Sequence, residues 1–271
     1  MAPWCRPSKS CAISPAPEAA LTPTTKPAVT GAAPEGARDA RAAAVAVRDM
    51  FSSIAPRYDL LNHLLSFNVD RLWWRRTARY FAHILSRSDT RVLDLCCGTG
   101  DMAFALRRQA GRARPLILGA DFSHPMLQCA AEKSAGTALK WVEADALRLP
   151  LPDASLDLVT TAFGFRNLAD YDAGLREIAR VLRPNGEAGI LDFGEPRGVI
   201  GSTYRLYFRH LLPKIGTVIS GVKGPYQYLP ASVERFPAPE EMLERMGAAG
   251  FGETSWTPYT FGIAGLYRAR K

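Results

Sequence analysis

No stretch of about 18 consecutive apolar residues occurs in the 271-residue chain, so no transmembrane helix is expected. Cysteine is scarce: Cys5, Cys11, Cys96, Cys97 and Cys129 form no CxxC pair, and the 4 histidines stand at no metal-ligand spacing from them. A disulfide framework is therefore not predicted, a metal centre is not expected, and a reducing compartment is the default. Zinc-finger, RNP-like and basic-helix motifs are all missing and the arginines are dispersed, which argues against a nucleic-acid-binding module. Residues 1–40 lack the continuous apolar core of a secretory signal.

What is present is a basic chain with ample material for a core. The formal charge is +8, the isoelectric point is about 9.4, and 47% of residues are hydrophobic. The charge favours an anionic partner, such as a membrane surface, nucleic acid or an acidic metabolite, although a solvated basic surface would read the same way. Residues 1–40, rich in Ala, Pro and Thr, read as a disordered tail, with an organelle transit peptide as the alternative. Residues 41–271 read as one domain. Its opening part, 41–88, is a helical cap: Arg41–Ser53, a segment around Leu60–Leu65, and Asp70–Phe81 each have helical apolar spacing, and Pro56 breaks the first. Trp73, Trp74, Tyr80 and Phe81 in this cap suit packing.

From Arg91 the pattern alternates between short β-compatible runs and amphipathic segments. Strands are expected at Val92–Leu95, Leu116–Ala120, Leu139–Val142, Leu156–Ala162 and Ala188–Phe193, then at Thr254–Thr260 and Ile263–Ala269. Helices are expected at Gly100–Ala110, from the Ser123 cap to Lys133, over Asp170–Leu182 (stopped by Pro184-Asn185-Gly186), and from Pro239 to Gly247 or Gly250. Such alternation implies an α/β fold, a doubly wound and mostly parallel sheet. Residues 196–237, with Tyr204, Leu206, Tyr207 and Phe208 beside Arg205 and Arg209, interrupt the rhythm and read as a helical lid or a membrane-interface segment.

The stretch RVLDLCCGTGD, Arg91–Asp101, is the centre of the reading. A strand, a glycine turn (Gly98, Gly100) and a helix N-terminus make a site for a nucleotide-like ligand, because glycine lets the backbone come close and the helix offers N–H donors. In a doubly wound sheet the ligand lies beyond the strand carboxyl ends, where Asp94, Asp121 and Asp145 fall. Asp121, 21 positions after Gly100, is placed to accept from a ribose diol. NAD and S-adenosylmethionine share that diol. Acids flanking the loop, Asp94 and Asp101, suit the phosphate-free cationic ligand better.

Together LDLCCGTGD, LGADFS, EADALRLPLPDASLDLV, FGFRNLADYDAGLREIARVLRPNGE and LDFGEP resemble the class I S-adenosylmethionine methyltransferases of the UbiE/MenG/COQ5 family, across about Met50–Arg268. YDLLNHLLSFNVDRLWWRR and FGFRN are the most family-specific pieces. Leu61 replaces the usual Met, Asp70 a common His, Ala162 a frequent Ser, and Cys96-Cys97 a Gly-Gly pair. The resemblance implies a Rossmann-like class I fold with a seven-stranded sheet whose last strand is antiparallel. It also implies S-adenosylmethionine as cofactor and cofactor contacts at Thr99, Asp121, Asp145 and Ala146.

The implied reaction is C-methylation of a demethylmenaquinol, with ubiquinone and phylloquinone precursors, or another small molecule, as alternatives. Arg166 and Asn167 are the candidates for holding the acceptor's ring oxygen and its developing charge. Tyr58, His63 and Asp70 are considered as an assisting base without assignment. The implied partner is a polyprenylated quinol taken from a membrane surface, with a homodimer left open. The implied location is cytoplasmic and peripheral to the inner membrane, or an organelle if residues 1–40 are a transit peptide.

Overall fold

The computed structural model describes residues 31–34, 36–59, 66, 68–194, 196 and 225–271. The central expectations at Leu60–Leu65, at 197–224 of the lid and over residues 1–30 lie outside these described residues.

The cap opens with α1, Ala40–Ile54, capped by the Asp39 carboxylate, which accepts from the Ala42 N–H. Pro56 lies in the 3₁₀ turn Ala55–Arg57 that follows. Helix α2, Val69–Tyr80, buries Trp73, Trp74, Thr77 and Ala78 and leaves Arg71, Leu72, Arg75, Arg76 and Arg79 exposed. A single turn, α3 (Ala82–Leu85), leads into the sheet.

The sheet alternates as expected: β1 Arg91–Leu95, α4 Asp101–Ala110, β2 Leu116–Asp121, α5 His124–Lys133, β3 Lys140–Glu143, β4 Leu156–Ala162, α6 Tyr171–Val181 and β5 Leu182–Phe193. Then come α7 Pro225–Arg235, α8 Pro239–Ala248, β6 Glu253–Tyr259 and β7 Ala264–Arg270. The spatial order is β3-β2-β1-β4-β5-β7-β6. Strands β1 to β5 pair in parallel, while β7 runs antiparallel to both β5 and β6. The fold is that of a class I methyltransferase. Strand order reverses at β1 and β4, so the ligand crevice lies beyond Leu95 and Ala162.

Two apolar layers hold the sheet. On one side Leu93, Leu95, Leu175, Ile178 and Ile190 are buried with Met242 and Met246. On the other, Val92, Leu106, Ile117 and Leu158 pack with Trp73, Trp74 and Phe81 of the cap. Burying each Leu or Ile contributes about 1.5–3 kcal/mol, and the second layer fastens α2 onto α4.

Three local expectations change. The chain is packed before residue 40: Ala32 is buried, its N–H donates to the Leu168 carbonyl at 2.7 Å, and a Cβ on Gly31 would fall 2.2 Å from that oxygen. Ser123 occupies the cap position of α5 but makes no capping bond; its hydroxyl shares a 2.9 Å hydrogen bond with Ser52 and ties α1 to α5. Helix α6 ends at Val181, and Pro184-Asn185-Gly186 lies inside β5 as an irregularity with Asn185 at φ 64°. The Asn185 N–H donates to the Lys271 carbonyl and the Lys271 N–H to Gly186, so pairing across the sheet overrides the local turn signal.

Candidate active site

Two adjoining cavities lie at the reversal point. The larger is walled by Phe51, Tyr58, Gly98, Asp121, Phe122, Asp145, Ala146, Phe163, Asn167 and Leu168. The smaller is walled by Tyr58, Trp74, Asp94, Cys96, Gly98, Thr99, Asp101 and Phe163. Tyr58, Cys96, Gly98, Ala162 and Phe163 line both.

Asp121 closes β2. Its Oδ2 accepts from the Gly98 N–H at 2.8 Å and its Oδ1 from the Ser123 N–H at 2.9 Å. Each oxygen keeps a second lone pair, enough to receive a vicinal diol. Burial pushes its carboxyl up to about 6, opposed by these backbone donors. Asp145 is exposed and its Oδ1 accepts from the Leu147 N–H at 2.9 Å, fixing the turn that presents buried Ala146 as an apolar wall.

Asp94 is wholly buried. Its Oδ1 accepts from the Thr160 hydroxyl at 3.1 Å, and its Oδ2 has no hydrogen-bond partner among the described residues. Burial pushes this carboxyl up to about 8, against the Thr160 hydroxyl and the Ala103 N–H. An orphaned buried carboxylate oxygen lining a cavity calls for a donor or a cation there. The pair of sites thus fits a ligand with a ribose and a flat base at one end and an ammonium-bearing tail at the other, as S-adenosylmethionine has.

Thr99 is buried, and its hydroxyl donates to Oδ1 of Asp59. Asp59 Oδ2 lies 2.7 Å from Lys133 Nζ, which also reaches Asp101 at 3.3 Å. This chain latches the cap to the glycine loop. Gly100 faces neither cavity: a Cβ there would sit 2.5 Å from the Trp141 ring, and its φ of 91° suits only glycine, so it serves turn and packing.

The candidate acceptor residues divide. Asn167, in the 3₁₀ turn Phe165–Asn167, lines the larger cavity; its Nδ2 donates to the Phe163 carbonyl at 3.3 Å and its Oδ1 has no partner. Arg166 does not face the cavities, contrary to the expected direct hold on the acceptor. Its guanidinium is buried, ion-paired to Asp192 at 2.8 Å, and bonded to the Phe163 carbonyl. The reason is electrostatic: Asp192 on β5 has no solvent exposure and needs a counter-charge. Arg166 and Asn167 both donate to the carbonyl of Phe163, which has φ 59° and whose ring meets Phe193 at 4.5 Å and Trp73 at 5.7 Å.

Asp59, Phe163 and Asp192 are site residues that the sequence motifs contained without marking, and Tyr58, considered there only as an assisting base, walls both cavities. Tyr58 and Asp59 open YDLLN, and Asp192 lies in LDFGEP; the signal was motif membership, with no spacing rule for their direction. Asp70 is buried in α2 and its Oδ1 accepts from the Arg71 N–H; His63 lies outside the described residues. His124 is exposed beside Glu143. Burial raises the Cys96 and Cys97 thiols well above their usual range, which makes them poor nucleophiles.

The model of the ubiE/COQ5 methyltransferase family matches residues 37–271. The demethylmenaquinone methyltransferase of Deinococcus radiodurans is 51% identical over 225 residues, 82% of this chain and 91% of that protein. That of Thermus thermophilus is 50% identical, covering 80% of this chain and 98% of its own length. The ubiquinone/menaquinone biosynthesis C-methyltransferase of Geobacter sulfurreducens is 44% identical over 83% of the chain and 88% of its own length. Among solved structures, the [4+2]-cyclase SpnF matches with a TM-score of 0.61 at 18% identity, over 89% of this chain and 98% of that one, a likeness of fold. A buried strand-end acid with a free oxygen, a diol-type acid beyond the glycine loop and a match to the family model over nearly the whole described fold converge: the chain is a methyltransferase and belongs to the ubiE/COQ5 methyltransferase family.

Proposed function

We propose that this enzyme methylates the free ring carbon of a demethylmenaquinol, using S-adenosylmethionine. The observation that carries the reading is the 51% identity, along most of both chains, to a demethylmenaquinone methyltransferase, together with Phe163, Gly164 and Asn167 of FGFRN at the wall of the larger cavity.

When bound, S-adenosylmethionine would supply an electrophilic sulfonium methyl group for the free ring carbon. The protein's part is placement. Asp121 receives the ribose hydroxyls, Ala146 and Phe122 flank the base, and Asp94 and Thr99 face the amino-acid end. Phe163, Tyr58 and Phe51 exclude water from the reacting centre, where alignment alone is worth effective molarities of roughly 10⁵ M or more. Asn167 is the group assigned to the acceptor's ring oxygen, and Arg166 is assigned to orienting it through the Phe163 carbonyl that both residues bond. An aromatic alcohol held this way carries more charge onto the ring carbon, which raises its nucleophilicity.

The acceptor's apolar tail and the +8 charge support peripheral association with an anionic membrane. Among the described residues no helix is long and apolar enough to cross one. The test is incubation of the full chain with S-adenosylmethionine and reduced short-tailed acceptors, read by mass spectrometry. Demethylmenaquinol should gain one methyl in preference to a ubiquinol precursor; preference for the ubiquinol precursor would move the assignment to that branch, and methylation of neither would refute the quinol reading.

A further inference from the structure

We propose that the exposed face of α2 and the Thr260–Gly262 turn together form the surface that docks on anionic lipid. The inference rests on the reading that the acceptor is a membrane-dissolved quinol.

Arg71, Arg75 and Arg79 recur every fourth residue and form one exposed ridge of α2; Leu72 and Arg76 form the neighbouring ridge. Leu72 is 59% exposed in the midst of these charges. None of Arg71, Arg75 and Arg79 has a carboxylate within salt-bridge distance among the described residues. The first ridge borders a groove of about 780 Å³ against α4, where Arg108 adds a fourth guanidinium; Asp101 at that groove is already paired with Lys133.

The second ridge abuts the tip of the β6–β7 hairpin. The Trp73 Nε1–H donates to the Thr260 hydroxyl at 2.8 Å, and the Arg76 guanidinium lies 4.4 Å from the Tyr259 ring centre. At that tip Phe261 is 76% exposed. It is held out by an unfavourable backbone: Thr260 at φ 44° and Phe261 at φ 57° are both left-handed, a conformation that costs each about 1–2 kcal/mol. A water-soluble surface gains nothing from a strained turn that lifts a phenyl ring into solvent.

Apolar anchors flanked by arginines that have no carboxylate partner among the described residues match the edge of an anionic bilayer, where the ring and Leu enter the acyl boundary and guanidinium groups meet phosphates. A polyanion such as RNA would use the arginines but leave Leu72 and Phe261 without a role. The position also suits delivery. A groove of about 680 Å³ includes Phe261, Trp256, Pro258, Phe236 and Phe193 in its lining, and the Phe193 ring contacts Phe163 in the site wall.

The test is vesicle co-sedimentation of the full chain with phosphatidylcholine alone or mixed with phosphatidylglycerol. Wild type should bind only the mixed vesicles, more weakly as salt rises. Arg71→Gln/Arg75→Gln/Arg79→Gln should lose about a hundredfold in affinity, from roughly 1 kcal/mol per arginine. Leu72→Ser/Phe261→Ser should weaken binding to the mixed vesicles at low and high salt alike. Both variants should methylate a tail-less naphthoquinol like wild type, which shows that they fold. Undiminished vesicle binding by the arginine variant overturns the proposal, as does tight binding of single-stranded RNA without vesicle binding. Loss of quinol methylation in wild type with vesicle binding intact would instead refute the quinol reading and leave the docking surface standing.

Discussion

Arg166 Nη1 lies 2.8 Å from Asp192 Oδ1, and the Asp192 Oδ2 accepts the Arg166 backbone N–H at 3.0 Å, so one buried carboxylate holds both ends of the same residue. Removing one partner strands the other charge. Arg166→Ala should cost about 3–5 kcal/mol, whereas replacing both residues by apolar ones should cost less than the sum of the single changes. Chemical denaturation of the four proteins of the cycle measures this; an additive result would show that the two charges do not interact.

Asp121→Ala removes the acceptor for two backbone N–H groups and the diol site together. Charge-assisted hydrogen bonds contribute about 1.5–3 kcal/mol each, so cofactor affinity should fall by at least about tenfold in titration calorimetry. Asn167→Ala, by contrast, should lower turnover with little change in cofactor affinity.

Asp94 gives a pH signature. Its carboxyl is raised to about 8 in the folded protein from an ordinary value of 3.8. Between those limits the folded state holds more protons than the unfolded one, so stability without cofactor should fall as pH rises toward 8, by up to about 1.4 kcal/mol per unit from this group. Asp121, raised to about 6, adds to the slope only below that pH. Asp94→Asn should flatten the stability curve between pH 6 and 8. Binding of a cationic ligand to the wild type should release a proton, visible as a buffer-dependent binding enthalpy near pH 7.

Cys96 sits at φ 53°, and a Cβ on Gly164 would fall 2.4 Å from the Cys96 Cβ. Gly164→Ala should therefore destabilise the junction of β1 and β4. Cys96→Gly relieves the left-handed strain and removes the colliding atom, so the double variant should recover part of the loss. Thermal denaturation of the set checks it; equal loss in the single and double variants would place the collision elsewhere.

The parallel sheet and the place of Asp121 at the crevice were legible because each has a local signature: alternating elements, and an acid at a strand end at a set distance from a glycine turn. Direction was not. Asp192 and Arg166 are 26 residues apart, and β5 is buried on both faces, so no alternation marks which way its carboxylate points. Gly100 was legible as a glycine turn, but its packing partner, Trp141, comes from β3 and has no sequence signal. The extension of β5 through Pro184-Asn185-Gly186 depends on backbone pairing with Lys271, which a turn-former count misses.

Tyr58 walls both cavities while Asp59, its neighbour, is fastened to Thr99 and Lys133. The wall shared by the two cavities is thus fastened from behind: the carboxylate next to Tyr58 ties the end of the cap to the glycine loop and to α5, so loosening that one tie would free the wall of both cavities at once.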